Sequence, residues 1–557
     1  MESMGNSQEH IVMIPFLAQG HIIPFMELAK KIQETTDFTI TLVNTPLNIQ
    51  KLKSAQSSSC KIHFASLPFN PLDHNLPPNT ETTEALPLTH VIALFHASTS
   101  LQLPFQELIS ELTSKHGKPP LCIISDVFMG WTNQVAKLLH ITNVSFSTCG
   151  AYGSAGYISV WQNLPHRSLE SDDQEFVMPG FPDRCKITRA HLHKYVRNAD
   201  GNDDWSKFFQ PQISLSLGSF GWLCNTVEEI EPLGLKVLEN YTKLPIWCIG
   251  PLLPPRMLDS SSSNEIFGKR AGKEPGLSPE TCLQWLDSYA ENSVLYISFG
   301  SQNTISPAQM MELATGVEES GKPFIWTIRP PIGFNLNEKF RDEWLPHKFE
   351  ERMSASKRGL LVHKWAPQLD ILCHKSTGAF LTHCGWNSTL ESLSQGVPLI
   401  GWPLAAEQVY NSKMIEEEMG VGVELTRGLE SCIRKNDVKR VIETVMENEG
   451  IRKKANEISK MIKKGARPIN VTVAKDVIKV VGEYGAKPVD VFVDDNVDTI
   501  SRASDAADLE FLQLHGDASR AAFSVLVQEN RIIYVLNANE DGNLLNYITE
   551  DECSSVD

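Results

Sequence analysis

Two stretches of the chain carry residue types and spacings that could do chemistry. In GHIIP (20–24) a histidine follows a glycine at the entrance of a helical pattern, and in LCIISD (121–126) an aspartate closes an apolar strand. An imidazole can take a proton from a hydroxyl near neutral pH. A carboxylate on its other nitrogen fixes the tautomer and stabilises the imidazolium that forms. A helix N-terminus disfavours a cation, so the position predicts a neutral His21 with Asp126 as its orienting partner. The second stretch is LTHCGWNSTLES (381–392), a strand end, a small polar turn and a helix start. Free N–H groups at a helix start bind anions. Gly385 lets a ligand approach the backbone, His383, Asn387 and Ser388 add donors, and the Glu391 carboxylate can accept two hydroxyls. A nucleotide sugar fits this set, diphosphate on the turn and ribose on the acid. Taken alone, His21 also fits a structural histidine, and the second stretch also fits an ordinary strand-to-helix turn with a capping serine and a core tryptophan. The single glycine of FLAQGH does not make the three-glycine dinucleotide fingerprint.

Such residues need a scaffold, and the pattern around them is one of short apolar runs alternating with amphipathic helical stretches, as in parallel α/β folds. Strands are predicted at 11–16, 38–43, 121–125, 144–147 and 221–225, and again at 294–300, 324–329, 360–365, 378–383 and 398–402. Residues 251–276, rich in Pro, Ser, Gly and charge, read as a linker. The expected architecture is two doubly wound domains across a cleft, with ligands beyond the carboxyl ends of the strands.

The 557 residues have 41 % hydrophobic and 21 % charged residues, a globular composition. A formal net charge of −17 offers no basic face for nucleic acid. Residues 471–557 hold 17 acidic and 6 basic side chains, a balance of −11, leaving −6 for the first 470 and suggesting a separate origin for the tail. The eleven cysteines are scattered without a CxxC pair, which fits reduced thiols better than zinc or a disulfide framework. MESMGNSQEH lacks the apolar core of a signal peptide, and no apolar run approaches a membrane span. The expectation is a cytoplasmic protein.

The window from Trp365 to Gln408, WAPQLDILCHKSTGAFLTHCGWNSTLESLSQGVPLIGWPLAAEQ, resembles the donor-binding signature of plant family-1 UDP-glycosyltransferases. The similarity runs from about residue 9 to about 465, through IGPL (249–252) and VLYISFGS (294–301). It implies a GT-B fold and inverting transfer of a sugar, glucose by analogy with Gln408, from a UDP-sugar to a small lipophilic plant metabolite. Neither a metal nor a cofactor is implied. It further implies that Trp365 stacks on uracil beside Gln368, and that His383, Asn387, Ser388 and Ser301 cradle the diphosphate. Glu391 would take the ribose; Trp386, Glu407, Gln408 and Thr148 would surround the sugar. GHxxP and the strand-ending aspartate match the family's catalytic His and Asp. Glu407 stands where Asp is frequent. A binding protein that keeps the fold without catalysis is the alternative. The implied domains are 1–250 for the acceptor, the linker 251–276, 277–468 for the donor, and a tail 469–557.

From about residue 471 the chain instead resembles plant phosphoribosylanthranilate isomerase, in AKPVDVFVDD, LQLHGDASRAAFSVLV and IIYVLNANEDGNLLN. That resemblance implies a piece of a (β/α)8 barrel, strands three to five after a helix at 471–481. The isomerase's catalytic Cys lies in a Cys-Gly-Ile-Thr motif on its first strand and its Asp on the sixth; the tail carries neither, and Cys553 is at the wrong end. The implied tail is catalytically inactive, the alternatives being a generic acidic α/β tail or a bifunctional enzyme.

Overall fold

The computed structural model describes residues 9–465, apart from 37, 56–60, 85, 87, 259–265, 268–275, 336–337 and 429, and in the tail 489–493, 496–501, 511–515, 519, 521, 523–526 and 531–534. The chain divides after Arg467 into two compact units.

Two parallel sheets organise the first unit. In one, β1 (His10–Ile14), β2 (Thr39–Asn44), β3 (His63–Ser66), β4 (Cys122–Asp126), β5 (Thr142–Ser147), β6 (Trp222–Cys224) and β7 (Ile246–Cys248) lie in the order β3-β2-β1-β4-β5-β6-β7. In the other, β8 (Val294–Ser298), β9 (Phe324–Ile328), β10 (Gly359–His363), β11 (Thr377–Thr382), β12 (Leu399–Gly401) and β13 (Gly422–Glu424) lie in the order β10-β9-β8-β11-β12-β13. Both are doubly wound, and the order reverses between β1 and β4 in the first and between β8 and β11 in the second. The central strands are buried along their whole length, as β1, β8 and β11 show. A strand covered on both faces is mostly apolar, which is why these segments stand out as near-continuous hydrophobic runs.

Five described strands of the first unit went unanticipated from the sequence: β3, β7 and β13, each a sheet edge, and a short antiparallel pair, Glu175–Val177 with Lys186–Thr188. These edge strands are short: β3 (HFAS) has no fully buried residue, and β7 and β13 are only three residues each. The expected linker is partly ordered: Pro255–Leu258 is a helical turn, the Arg256 guanidinium lies 4.5 Å over the Phe267 ring, and the Phe267 N–H donates to Asp370 at 3.1 Å.

Four helices position the functional residues. α1 (Gln19–Thr35) follows β1, α2 (Ala151–Asn163) follows β5, α3 (Trp386–Ser394) follows β11, and α4 (Gln408–Lys413) follows β12. The buried Glu231 carboxylate caps α2, accepting the N–H groups of Ala151 and Tyr152 at 3.0 and 2.9 Å. Near the end of the unit, α5 (Glu449–Gly465) bridges the two lobes. It packs on α3, with Ser459 Oγ donating to the Ser394 carbonyl at 2.6 Å, and on the turn Glu228–Ile230 of the first lobe.

In the second unit β14 (Val489–Val493), β15 (Phe511–His515) and β16 (Arg531–Tyr534) form a parallel sheet in chain order. Leu512 and Leu514 are buried there, as are Phe523 and Leu526 of the helical turn before β16. The expected helix at 471–481 lies outside the described residues, as does Cys553. Among the described residues no helix is long and apolar enough to cross a membrane.

Candidate active site

A cavity of about 780 Å³ lies between the two sheets, at the carboxyl ends of their strands. His21, Thr148, Ser301, Trp365, Gln368, His383, Trp386, Asn387, Ser388, Glu391, Glu407 and Gln408 all line it. Asp126 lies behind His21 and is fully buried.

His21 sits in the first turn of α1, and Asp126 ends β4, so both strand ends of the first switch point contribute. His21 Nδ1 meets Asp126 Oδ2 at 2.7 Å, with Thr148 Oγ1 3.4 Å from the same nitrogen. The backbone N–H groups of Phe16 and Phe128 also donate to the Asp126 carboxylate, at 3.3 and 3.0 Å, and fix its orientation. The Phe16 and Phe128 rings pack against the imidazole with centroids 5.5 and 5.2 Å away. With Nδ1 committed to the carboxylate, Nε2 is the nitrogen left to exchange a proton. Burial by itself lowers the His21 pKa. The Asp126 charge and hydrogen bond, helped by the charge of Glu407, outweigh that effect and raise it above 6.5. The helix-dipole argument pointed the other way. A terminal dipole is worth only about 0.3–1 kcal/mol at exposed sites, and a carboxylate in direct contact inside a buried site dominates it.

The second switch point builds the opposite wall. Cys384 has φ 62°, in the left-handed region, and turns the chain from β11 into Gly385, the residue preceding α3. The His383 ring lies between two glycines: a Cβ on Gly385 would meet its Nε2 at 2.5 Å, and one on Gly300 its Cε1 at 2.6 Å. Burial, with the nearby Arg329 charge, pushes the His383 pKa down to about 4, so this imidazole is neutral. Arg329, at the end of β9, drew no attention in the sequence. Its guanidinium donates to the carbonyls of Ser301 at 2.6 Å, Gly300 at 2.5 Å, and Asn303, pinning the loop after β8. Burial lowers its pKa to about 10, so it remains a cation.

Several side chains are already committed to one another. Gln368 donates to Glu391 at 2.6 Å and Ser388 at 3.0 Å, and accepts from the Tyr296 hydroxyl at 3.2 Å. The Gln408 carbonyl accepts the N–H groups of Leu404 and Ala405, both at 2.9 Å, which leaves its amide N–H₂ facing outward. Asn411 bridges Glu407 at 3.2 Å and the Cys384 carbonyl at 3.0 Å. Asn387 donates to the Gly20 carbonyl across the cleft at 3.0 Å, and the buried Trp386 indole donates to the Asn225 carbonyl at 2.6 Å. Both therefore serve the seam between the lobes in addition to lining the cavity. Phe95, Phe128, Tyr157, Trp161, Trp205 and Phe209 form an aromatic wall on the His21 side. Sequence reasoning missed it, because aromatics on helices read as ordinary core.

A histidine–carboxylate pair on one wall and a glycine-flanked helix start on the other thus share one cavity. Residues 262–475 match the family model UDP-glucoronosyl and UDP-glucosyl transferase, and 7–254 the glycosyltransferase N-terminal domain. Crocetin glucosyltransferase 3 of Crocus sativus is 48 % identical over 454 residues, 80 % of this chain and 92 % of its own. UDP-glycosyltransferase 92A1 of Arabidopsis thaliana is 42 % identical over 465 residues, 82 % of this chain and 92 % of its own. Among solved structures, a UDP-glucosyltransferase from Polygonum tinctorium capable of glucosylating indoxyl is 26 % identical with a TM-score of 0.67, covering 85 % of this chain and 98 % of that one. Medicago truncatula UGT71G1 complexed with UDP-glucose shares the fold, with a TM-score of 0.69 at 23 % identity, covering 86 % of this chain and 99 % of that one. The chain belongs to the plant family-1 UDP-glycosyltransferases. Residues 439–556 also match the family model of N-(5'-phosphoribosyl)anthranilate isomerase, so the chain joins segments of two families. That match starts well before 471, within sequence that folds as part of the first unit.

The raised pKa of His21 has a consequence for rate. Below that pKa the ring is protonated and cannot accept a proton, so transfer should fall on the acid side with a midpoint above 6.5; Asp126→Asn should move the midpoint down and lower turnover. A pH–rate profile of kcat/KM for both proteins checks this. Arg329→Met frees three loop carbonyls from a charged donor and should raise the KM for the UDP-sugar by roughly 10-fold or more, measured by steady-state kinetics.

Proposed function

We propose that this protein transfers glucose from UDP-glucose to a hydroxyl of a small apolar plant metabolite, with His21 as general base. The observation that carries this reading is the His21–Asp126 contact of 2.7 Å, placed in one cavity with the HCGWNS turn. The acceptor hydroxyl gives its proton to His21 Nε2. Its oxygen forms a bond to the anomeric carbon from the face opposite the diphosphate, the bond from that carbon to the diphosphate oxygen breaks, and UDP leaves. Asp126 holds the imidazolium that results. The diphosphate lies on the N-terminal turn of α3, where free N–H groups, the Ser388 hydroxyl and the neutral His383 ring receive the growing charge. Arg329 supports that wall through the carbonyls of the 300–303 loop. Trp365, half-buried at the rim, offers a ring face to the base, and Glu391 the acceptors for the ribose. Glu407 and the Gln408 amide meet the sugar hydroxyls. We assign the acceptor lobe to 1–250, the connecting segment to 251–276 and the donor lobe to 277–468. No cofactor takes part, and the protein works in the cytoplasm.

The tail, 469–557, is read as a fragment of a (β/α)8 barrel without isomerase activity. Three parallel strands in chain order support the fragment. A closed barrel needs eight, and the Cys-Gly-Ile-Thr motif of the isomerase's first strand is absent from the sequence.

Incubation with UDP-glucose and a panel of plant phenols, read by mass spectrometry, should yield hexosides, with UDP-glucose favoured when UDP-galactose competes. His21→Ala should lower turnover by roughly 100-fold or more while UDP still binds; near-normal turnover would remove His21 from the mechanism. A chain ending at Tyr484 should keep glucosyl transfer. Conversion of phosphoribosylanthranilate by the full chain, lost in that shortened one, would refute the inactive tail.

A further inference from the structure

One four-residue helical turn of the acceptor lobe, Lys194–Arg197, serves two sides at once. Its middle residues Tyr195 and Val196, with His193 just before them, line the cavity. Tyr195 stacks on Trp205 with centroids 4.4 Å apart and planes at 20°, so it extends the aromatic wall. The residues at its two ends reach the donor lobe instead. Lys194 Nζ and Arg197 Nη2 both donate to the carboxylate of Glu430, at 2.8 and 3.4 Å. Glu430 itself lies outside the cavity lining.

A single turn has little stability of its own, because few bonds repay the ordering of its residues. Here the Arg197 and Asn198 N–H groups donate to the His193 and Lys194 carbonyls at 2.8 and 3.0 Å. The rest of its placement comes from outside. Val196, 4 % exposed, anchors it to its own lobe, where the charged tie is long: Arg197 is 3.8 Å from Asp172. Both contacts to Glu430 are shorter. A second tie runs parallel to them, since the Arg184 guanidinium donates to the two Glu418 oxygens at 3.2 and 2.9 Å.

We propose that Glu430 is a positioning residue for the acceptor: from the donor lobe it seats the turn Lys194–Arg197, and with it the Tyr195 side of the acceptor wall. This rests on the transferase reading above. Glu430 touches neither substrate and takes no part in the bond changes. Acceptor binding then depends on a charge pair between the lobes, whereas the UDP-binding residues sit on the donor lobe and do not need it. The Lys194 and Glu430 side chains are 58 and 61 % exposed, so dissolved salt screens the pair. Even an uncharged acceptor should therefore bind more weakly as ionic strength rises.

The test measures binding of 2-naphthol, a flat neutral probe, to the full chain saturated with UDP, by calorimetry. Glu430→Gln should raise the 2-naphthol Kd by roughly 2- to 5-fold, the range an exposed ion pair supplies, and leave the UDP Kd unmoved. Glu430→Lys should raise it further, and adding Lys194→Glu, which restores a pair with its signs exchanged, should bring it back toward the wild type. About 1 M KCl, which screens charges beyond about 3 Å, should weaken 2-naphthol binding more in the wild type than in Glu430→Gln. An unmoved 2-naphthol Kd in Glu430→Gln overturns the assignment. So do equal losses for 2-naphthol and UDP, a charge exchange that recovers nothing, or a wild type that does not bind 2-naphthol. Binding that splits as expected, without transfer from UDP-glucose to any phenol, would refute the transferase reading and with it the acceptor role of this wall; transfer with an unmoved Kd refutes this assignment alone.

Discussion

One hydrogen bond, from the Asn387 amide to the Gly20 carbonyl at 3.0 Å, ties the start of α3 to the start of α1. Each helix begins at the switch point of its own sheet, where strand order reverses and a crevice must open. Joining the two starts therefore brings two crevices mouth to mouth. The Trp386 indole, donating to the Asn225 carbonyl at 2.6 Å, fixes the second coordinate of that docking. The position of the cavity, and the fact that a histidine from one lobe faces an anion-binding turn from the other, both follow from this registration. Helix α5, packed on both lobes, holds it from outside.

Within that cavity the same side chain is driven in opposite directions. His21 and His383 are both buried, and burial alone would keep both neutral. A carboxylate 2.7 Å from His21 reverses the effect there, whereas the Arg329 cation near His383 reinforces it. One imidazole is thereby poised to gain a proton, and the other stays a neutral hydrogen-bonding group beside the turn. Neither state could be assigned from residue type, because each depends on which charge the fold sets alongside.

The sequence is most informative where burial is complete. Strands such as β1, β8 and β11 are buried throughout and mostly apolar because both faces are covered, while β3, β7 and β13 are short edge strands of three or four residues and escape notice. The strand-ending Asp126 and the helix-opening His21 could be picked out because chemistry places polar groups where an apolar run stops. Arg329 could not, since it bonds backbone carbonyls and answers to no side-chain motif. The aromatic wall was equally hidden: Phe95, Tyr157 and Phe209 face a cavity, yet their spacing is that of core residues. The joint between the two families is visible in charge and composition, but its boundary is not sharp. The isomerase model reaches back to residue 439, through the whole helix that bridges the lobes and into the helix Lys435–Glu447 before it.

The Asn387 and Trp386 bonds share a further property: both acceptors are main-chain oxygens, Gly20 O and Asn225 O, unlike the side-chain pairs Gln302–Thr83, Arg184–Glu418 and Lys194–Glu430 that also join the lobes. Every residue type presents the same carbonyl provided the backbone keeps its path. The donor lobe thus recognises the course of the other lobe's chain at these two points, and the side chains there are free to differ. At these two points the walls that receive the acceptor can be rewritten without disturbing the docking, whereas the side-chain pairs Arg184–Glu418 and Lys194–Glu430 survive only if both partners are kept, so a donor lobe mated to a new acceptor lobe, in recombination or by design, retains the first kind of contact and loses the second.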